Sequence, residues 1–122
     1  MDAPEKIVVI VTHGPDHAEL ATIPFVMAAG SLASDVELVM AFQAEGVELL
    51  TKGGVDGVQA KGFPVLAELM QTVQDLGGQL LGCSPCLEGR ALTEADLREG
   101  VEVIGAARLI AEVTSATTTL TY

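Results

Sequence analysis

The feature that most constrains the fold is a run of six β-branched residues near the start of the chain, Ile7 to Thr12. Branching at Cβ favours extended backbone, so the run predicts a strand. Because apolar and polar residues do not alternate along it, we expect the strand to be covered on both faces, as at the centre of a parallel sheet. Parallel strands need crossover connections, and these are usually helices. The run therefore predicts an α/β protein.

Strand and helix patterns alternate along the rest of the chain. Further strands are predicted at Val36 to Phe42, Gln79 to Gly82, Val101 to Ile104 and Thr117 to Tyr122, while Gly46 to Lys52 is either a short strand or a turn. Helices are predicted from Asp16 as cap to about Ala33, from Phe63 to Leu76, as a turn at Leu87 to Leu92, and from Ala106 to Ser115. We therefore predict a single domain over residues 1–122, a three-layer α/β/α sandwich with a mostly parallel sheet.

Charge and hydropathy limit the partners. Six Lys and Arg stand against 17 Asp and Glu, a formal net charge of -11, which repels nucleic acid and anionic lipid. The longest uncharged run, Leu20 to Ser34, is too short to span a bilayer, and the acidic N-terminus lacks the basic region of a secretory signal. We expect a cytoplasmic protein. Its 49% apolar content also predicts a homo-oligomer that buries part of the excess apolar surface.

The strongest candidate for chemistry is the segment Cys83-Ser84-Pro85-Cys86, predicted to join the end of a strand to the start of a helix. In a reducing compartment two cysteines at this spacing indicate reactive or metal-binding thiols more than a structural disulfide. Helix N-terminal amides favour a thiolate, and a thiolate attacks persulfide or disulfide sulfur. We therefore predict Cys83 as the nucleophile and Cys86 as a second thiol that resolves or accepts.

Several alternatives remain open at this point. The two cysteines are also compatible with small buried residues, with a dithiol oxidoreductase, or with a zinc site completed by His13 and His17. Thioredoxin-like use is disfavoured because the pair lies two-thirds along the chain and no proline follows Pro85. His13, at the end of the first strand, either assists proton transfer as a third catalytic residue or caps a turn. No cofactor and no metal is expected.

Three segments, taken in their order, resemble the DsrE family (DsrE/DsrF-like, YchN-like) of small sulfur-relay proteins along nearly the whole chain. They are the first strand with Thr12-His13-Gly14-Pro15-Asp16, the stretch from Val36 to Lys52, and Cys83 to Leu92 followed by Val101 to Gly105. The resemblance implies a parallel five-stranded sandwich assembled as a homotrimer or homohexamer. Arg90-Ala91-Leu92 stands where the family often has Arg-Gly-Leu.

The resemblance also implies a function. Cys83 matches the cysteine that receives sulfur from TusA-like or rhodanese-like carriers, and Cys86 matches the second cysteine of members with a C-x-x-C. The hypothesis is a sulfur carrier or sulfurtransferase that holds sulfane sulfur as a persulfide or thiosulfonate and passes it to a partner protein. The alternative is a redox-sensing or ligand-binding oligomeric module that uses a reversible Cys83/Cys86 disulfide without sulfur transfer.

Overall fold

The computed structural model describes residues 4–122, which form a five-stranded sheet with helices on both faces. The strands are β1 (Lys6–Val11), β2 (Glu37–Phe42), β3 (Gln79–Cys83), β4 (Val101–Ile104) and β5 (Thr118–Thr121). Their order in the sheet is β4-β3-β2-β1-β5, and every adjacent pair is parallel. The predicted α/β sandwich with a parallel five-stranded sheet is confirmed.

Four α-helices connect these strands. They are α1 (Ala18–Ala33), α2 (Leu66–Asp75), α3 (Ser84–Glu88) and α4 (Ala106–Thr114), and short 3-10 helices occupy Ala44–Leu50 and Glu94–Asp96. The segment Gly46 to Lys52, predicted as a strand or turn, lies mostly in the first 3-10 helix. At its end Thr51 forms an isolated antiparallel bridge with Leu97. Among the described residues, no helix has the length and apolar character needed to cross a bilayer.

The predicted cap of α1 at Asp16 is wrong. The residue that precedes the helix is His17, whose side chain makes no capping hydrogen bond. The His17 N–H donates to the Gly14 carbonyl at 3.0 Å, and the Ala21 N–H donates to the His17 carbonyl at 2.8 Å. This tight turn starts the helical hydrogen bonds at His17, so Asp16 lies one residue outside the capping position.

Two other helix boundaries differ from prediction because of prolines. α2 begins at Leu66 instead of Phe63, since the residue before Pro64 is biased away from helical backbone. α3 begins at Ser84 instead of Leu87, and Pro85 fits its first turn because that turn has no internal acceptor for the missing N–H. The second boundary matters more for function, because it places Cys86, which was predicted to open this helix, in the first turn of α3.

Side chains from alternate strand positions form two cores, one on each face of the sheet. The larger core lies under α1 and α2 and includes Val9, Val11, Phe25, Leu38, Met40, Phe42, Met70, Val73 and Leu80. The smaller one consists of Val8, Val39, Leu81 and Ile104, packed against Leu109 and Val113 of α4. No residue of α4 is fully buried. This second helical layer is therefore packed less tightly onto the sheet than the layer formed by α1 and α2.

Ion pairs tie α4 to the sheet. The Glu112 carboxylate accepts hydrogen bonds from Lys6 of β1 and, at 2.8 Å, from Arg108, which also pairs with Glu102 of β4 at 2.7 Å. The hydrogen bonds from Lys6 and then Arg108 hold the pKa of Glu112 below its ordinary value. These contacts hold α4 against the β1 and β4 strands of the sheet.

The outer side of α1 is apolar. Leu20 and Met27, seven positions apart on this helix, are each 43% exposed. A helix that is apolar all round is normally covered on all sides, and this one is not covered within residues 4–122. The exposed surface agrees with the expected self-association, which stays a prediction.

Candidate functional site

The two cysteines lie at the carboxyl edge of the sheet, where ligands bind in open parallel α/β folds. Cys83 is the last residue of β3, and Cys86 lies in the first turn of α3. Both are free thiols, and both are partly exposed. The structure therefore places the predicted pair where a partner or small molecule can reach it.

The two thiols are in direct contact. The Cys83 and Cys86 thiols are within hydrogen-bonding contact, over an Sγ–Sγ distance of 2.7 Å. The C-x-x-C spacing thus brings the sulfurs together as predicted. Any group that Cys83 receives has a second thiol beside it, which is the arrangement needed for resolution or disulfide formation.

The residue that sequence reasoning missed is Ala44. Its backbone N–H, at the start of the 3-10 helix that follows β2, donates to the Cys86 sulfur at 3.3 Å. Ala44 has φ 51°, in the left-handed region that costs a residue with a Cβ roughly 1–2 kcal/mol. Unusual backbone of this kind clusters at functional sites. An alanine carries no sequence signal for such a role, so only the fold could reveal it.

The acidity of Cys83 differs from expectation. Burial raises the pKa of this thiol, and its side-chain hydrogen bond with Cys86 raises it further, while the Cys86 backbone N–H and, to a smaller extent, Arg90 lower it. The sequence led us to expect a lowered pKa from helix N-terminal amides, and that expectation is wrong. Because α3 has five residues, few aligned peptide dipoles act on the sulfur.

This shift predicts the pH dependence of alkylation. A raised pKa means that thiolate forms, and reaction with iodoacetamide accelerates, at a pH above that of an unperturbed thiol. Arg90→Gln should move the midpoint further upward because Arg90 favours the thiolate. Rates measured across pH by mass spectrometry of the peptide containing Cys83 test this. A midpoint at or below that of free cysteine would contradict it.

His13 follows β1, and β2 lies between β1 and β3. Neighbouring strands lie about 4.8 Å apart, so the ends of β1 and β3, which have β2 between them, lie roughly 10 Å from each other. The His13 ring packs edge-on against His17 with centroids 5.4 Å apart, and its Nδ1 lies 3.4 Å from the Thr12 hydroxyl. The structure thus places His13 at the same edge of the sheet but not beside the thiols, and its catalytic role stays a prediction.

The zinc alternative fails on the same geometry. His13 and His17 form one pair and Cys83 and Cys86 another, with β2 between the strands that carry them. Across residues 4–122 no three His, Cys, Asp or Glu side chains are grouped so that they could hold a metal ion. The four ligands that the alternative required are not assembled.

Beside Cys83 an apolar cavity of about 230 Å³ opens between the sheet and α4. Its walls come from the ends of β2, β3 and β4 and from the first turns of α3 and α4: Ala41, Phe42, Gln43, Leu81, Cys83, Pro85, Ile104, Gly105, Ala106, Leu109 and Ile110. The sequence shows the apolar face of α4 but not that it closes over a cysteine.

A family model settles the relationship. The model that describes the DsrE/DsrF-like family matches residues 5–122. The chain belongs to the DsrE/DsrF-like family. The family is generally linked to sulfur relay, and the resemblance inferred from the sequence is confirmed.

Relatives of this DsrE-like chain include two archaeal proteins. Uncharacterized protein MJ0760 of Methanocaldococcus jannaschii is 30% identical over 102 residues, which make up 84% of this chain and 37% of that protein. Uncharacterized protein MK0008 of Methanopyrus kandleri is 29% identical over 99 residues, 81% of this chain and 78% of that protein. The chain thus spans little more than a third of the length of MJ0760.

Solved structures confirm the DsrE-like fold. The ychN protein from E. coli has a TM-score of 0.78 at 20% identity, with 97% of this chain and 99% of that chain covered. MTH1491, a protein of unknown function from Methanobacterium thermoautotrophicum, has a TM-score of 0.73 at 16% identity with the same coverage. At these identities the likeness establishes the fold alone.

One departure from the family pattern has a structural consequence. Ala91 occupies the position of the glycine in the Arg-Gly-Leu segment that often occurs in the family. Its φ of 56° is a conformation that glycine adopts without strain. We expect Ala91→Gly to stabilise the fold by about 1 kcal/mol, because relief of that strain outweighs the extra freedom of glycine in the unfolded chain. Urea denaturation measures the change. An unchanged or lower free energy of unfolding would contradict it.

Proposed function

We propose that this DsrE-like protein is a sulfur carrier in which Cys83 accepts sulfane sulfur and passes it to a partner protein. The observation that carries the proposal is the position of Cys83 at the carboxyl edge of the sheet, partly exposed, with a second thiol 2.7 Å from its sulfur. We expect the protein to act in the cytoplasm as a homotrimer or homohexamer and to exchange sulfur with TusA-like or rhodanese-like carriers.

Loading is a substitution at sulfur. The Cys83 thiolate attacks the terminal sulfur of a hydropolysulfide, a bond forms between Cys83 Sγ and that sulfur, and the sulfur–sulfur bond that joined it to the rest of the donor breaks. The remainder of the donor leaves as its thiolate or hydrosulfide with the electron pair. The product is a persulfide on Cys83, and no external oxidant or reductant is needed.

Unloading reverses this step on the partner. A partner thiolate attacks the outer sulfur of the persulfide, and Cys83 leaves as its thiolate. Because burial raises the pKa of Cys83, its thiolate is a strong nucleophile and a poor leaving group. The persulfide is therefore held until a partner thiol is positioned against it, as a carrier requires.

The test is to load the purified protein with sodium polysulfide without oxygen and to measure its intact mass. We expect the addition of whole sulfur atoms, located on the peptide that contains Cys83 and removed by dithiothreitol. Absence of any adduct on that peptide, with polysulfide and with an uncharged organic trisulfide alike, would refute the proposed function.

A second candidate is favoured by the contact between the thiols. With the two sulfurs 2.7 Å apart, oxidation to a Cys83–Cys86 disulfide needs little movement, so the pair also suits a redox-sensing module without sulfur transfer. The molecular mass in solution with and without reductant distinguishes the two functions. A redox module changes its oligomeric state on oxidation, and a carrier does not.

A further inference from the structure

The cavity beside Cys83 indicates which sulfur donors fit. None of the described residues that line it carries a charge, and the two lining residues with polar side chains are Cys83 and Gln43. Leu81, Ile104 and Leu109 line it and belong to the apolar cluster between the sheet and α4, and Leu81 and Ile104 are buried. Such a lining binds uncharged apolar molecules well and anions poorly.

Electrostatics disfavour an anion here. Moving a carboxylate-sized or sulfonate-sized anion from water into an apolar site costs several kcal/mol unless a cation or several donors compensate for its hydration. The nearby cation, Arg90, does not line the cavity, because it donates to the Cys86 carbonyl and pairs with Glu48. The formal net charge of -11 adds long-range repulsion.

The volume limits the size of the ligand. An apolar cavity of 150 Å³ holds benzene, so the 230 Å³ found here holds roughly nine non-hydrogen atoms. A dialkyl trisulfide with two propyl groups is of this size. Its sulfur chain can reach Cys83 while its alkyl groups contact the apolar walls.

We propose that the donor taken by Cys83 is a small uncharged organic polysulfane and not an anion such as thiosulfate or tetrathionate. This inference rests on the proposed function and narrows its substrate class. The Cys83 thiolate attacks the central sulfur of a trisulfide, the bond from that sulfur to one outer sulfur breaks, and an alkylthiolate leaves with the electron pair. Cys83 keeps the central sulfur with the other alkylthio group.

The experiment compares two donors with the same reactive sulfurs, dipropyl trisulfide and the dianionic bis(2-carboxyethyl) trisulfide. Initial rates of adduct formation on Cys83 are measured by mass spectrometry. Each is divided by the rate of the same donor with a small free thiol, which corrects for the different intrinsic reactivity of the two donors. We expect the corrected rate to be at least about tenfold higher for the neutral donor, as a difference of 1.4 kcal/mol in binding requires. A corrected ratio of one or less overturns the inference.

Substitutions that change the charge at the rim of the cavity provide a second test of the inference. Ile110 lines the cavity and is 59% exposed, so Ile110→Lys and Ile110→Glu should both fold. Relative to the neutral donor, the dianion should react faster with Ile110→Lys and slower with Ile110→Glu. Ala107→Lys places the same charge on an exposed position of α4 outside the lining and should leave the donor ratio unchanged. Equal effects of the two lysine variants would overturn the assignment of this cavity as the binding site of the sulfur donor.

These outcomes separate the inference from the function on which it rests. If neither trisulfide nor sodium polysulfide forms an adduct on Cys83, the proposed function fails. If polysulfide and the dianionic trisulfide load Cys83 as readily as the neutral one, the carrier function stands and the apolar donor class is wrong.

Discussion

Cys83→Ser is expected to abolish sulfur loading, whereas Cys86→Ser is expected to retain it. Serine is close to isosteric with cysteine but forms no persulfide, so removal of the attacking sulfur leaves no site for the adduct. We expect loading of Cys83→Ser to fall to the background of the Cys83→Ser, Cys86→Ser double variant. Intact mass after polysulfide treatment is the measurement, and circular dichroism checks that each variant is folded. Full loading of Cys83→Ser would disprove the assignment of the nucleophile.

The same comparison defines the role of Cys86. When Cys83 carries a persulfide, attack by the Cys86 thiolate on Cys83 Sγ expels hydrosulfide and forms the Cys83–Cys86 disulfide. The two thiols are oxidised while the sulfane sulfur is reduced, so the step balances without another reagent. Because the sulfurs lie 2.7 Å apart in the resting protein, we expect the persulfide to persist longer in Cys86→Ser than in the wild type. Equal lifetimes, with no release of hydrosulfide by the wild type, would exclude this role.

Gly46→Ala is expected to destabilise the fold by about 3 kcal/mol, at the upper end of overpacking effects. A Cβ at Gly46 would lie 2.3 Å from the carbonyl oxygen of Val11, which is backbone and accepts the Gln43 N–H at 3.0 Å. The carbonyl cannot yield without loss of that hydrogen bond, so the 3-10 helix must move instead. Urea denaturation measures the loss, and reactivity of Cys86 reports the movement, because Ala44 in the same helix donates to its sulfur.

Gly30→Ala is the matched control. Gly30 lies in α1, is exposed, and an added Cβ would meet nothing within 4 Å. Alanine is favoured over glycine by about 1 kcal/mol within a helix, so this variant should be slightly more stable than the wild type. A similar loss of stability in both variants would show that the close approach at Gly46 is not the cause.

Much of the fold could be predicted because its signals are local. The β-branched run at Ile7 to Thr12 and the strand at Val101 to Ile104 lie at or within one residue of the observed β1 and β4. The 3-10 helix at Ala44–Leu50 could not be distinguished from a strand, because three of its residues have buried apolar side chains and short apolar runs carry no decisive period. Its identity depends on packing against β3 and α3.

The site was predictable only as far as spacing determines geometry. Cys86 lies three positions after Cys83, and the strand-to-helix junction brings their sulfurs together regardless of the rest of the fold. The distance from Cys83 to His13 depends on strand order, which long-range packing determines. The same is true of the cavity under Ile110 and of the backbone donor at Ala44, since both arise from segments far from Cys83 in sequence.

The incomplete packing of α4 onto the sheet affects access to Cys83. Within the described chain α4 buries no residue completely and is held over the sheet by a partial apolar face and the ion pairs of Arg108 and Glu112. Local opening free energies are low where few apolar contacts hold an element. Undocking of α4 therefore requires less free energy than unfolding of the sheet, and it removes the wall that faces Cys83. Undocking would therefore widen the approach of another protein's thiol to the partly exposed Cys83 sulfur.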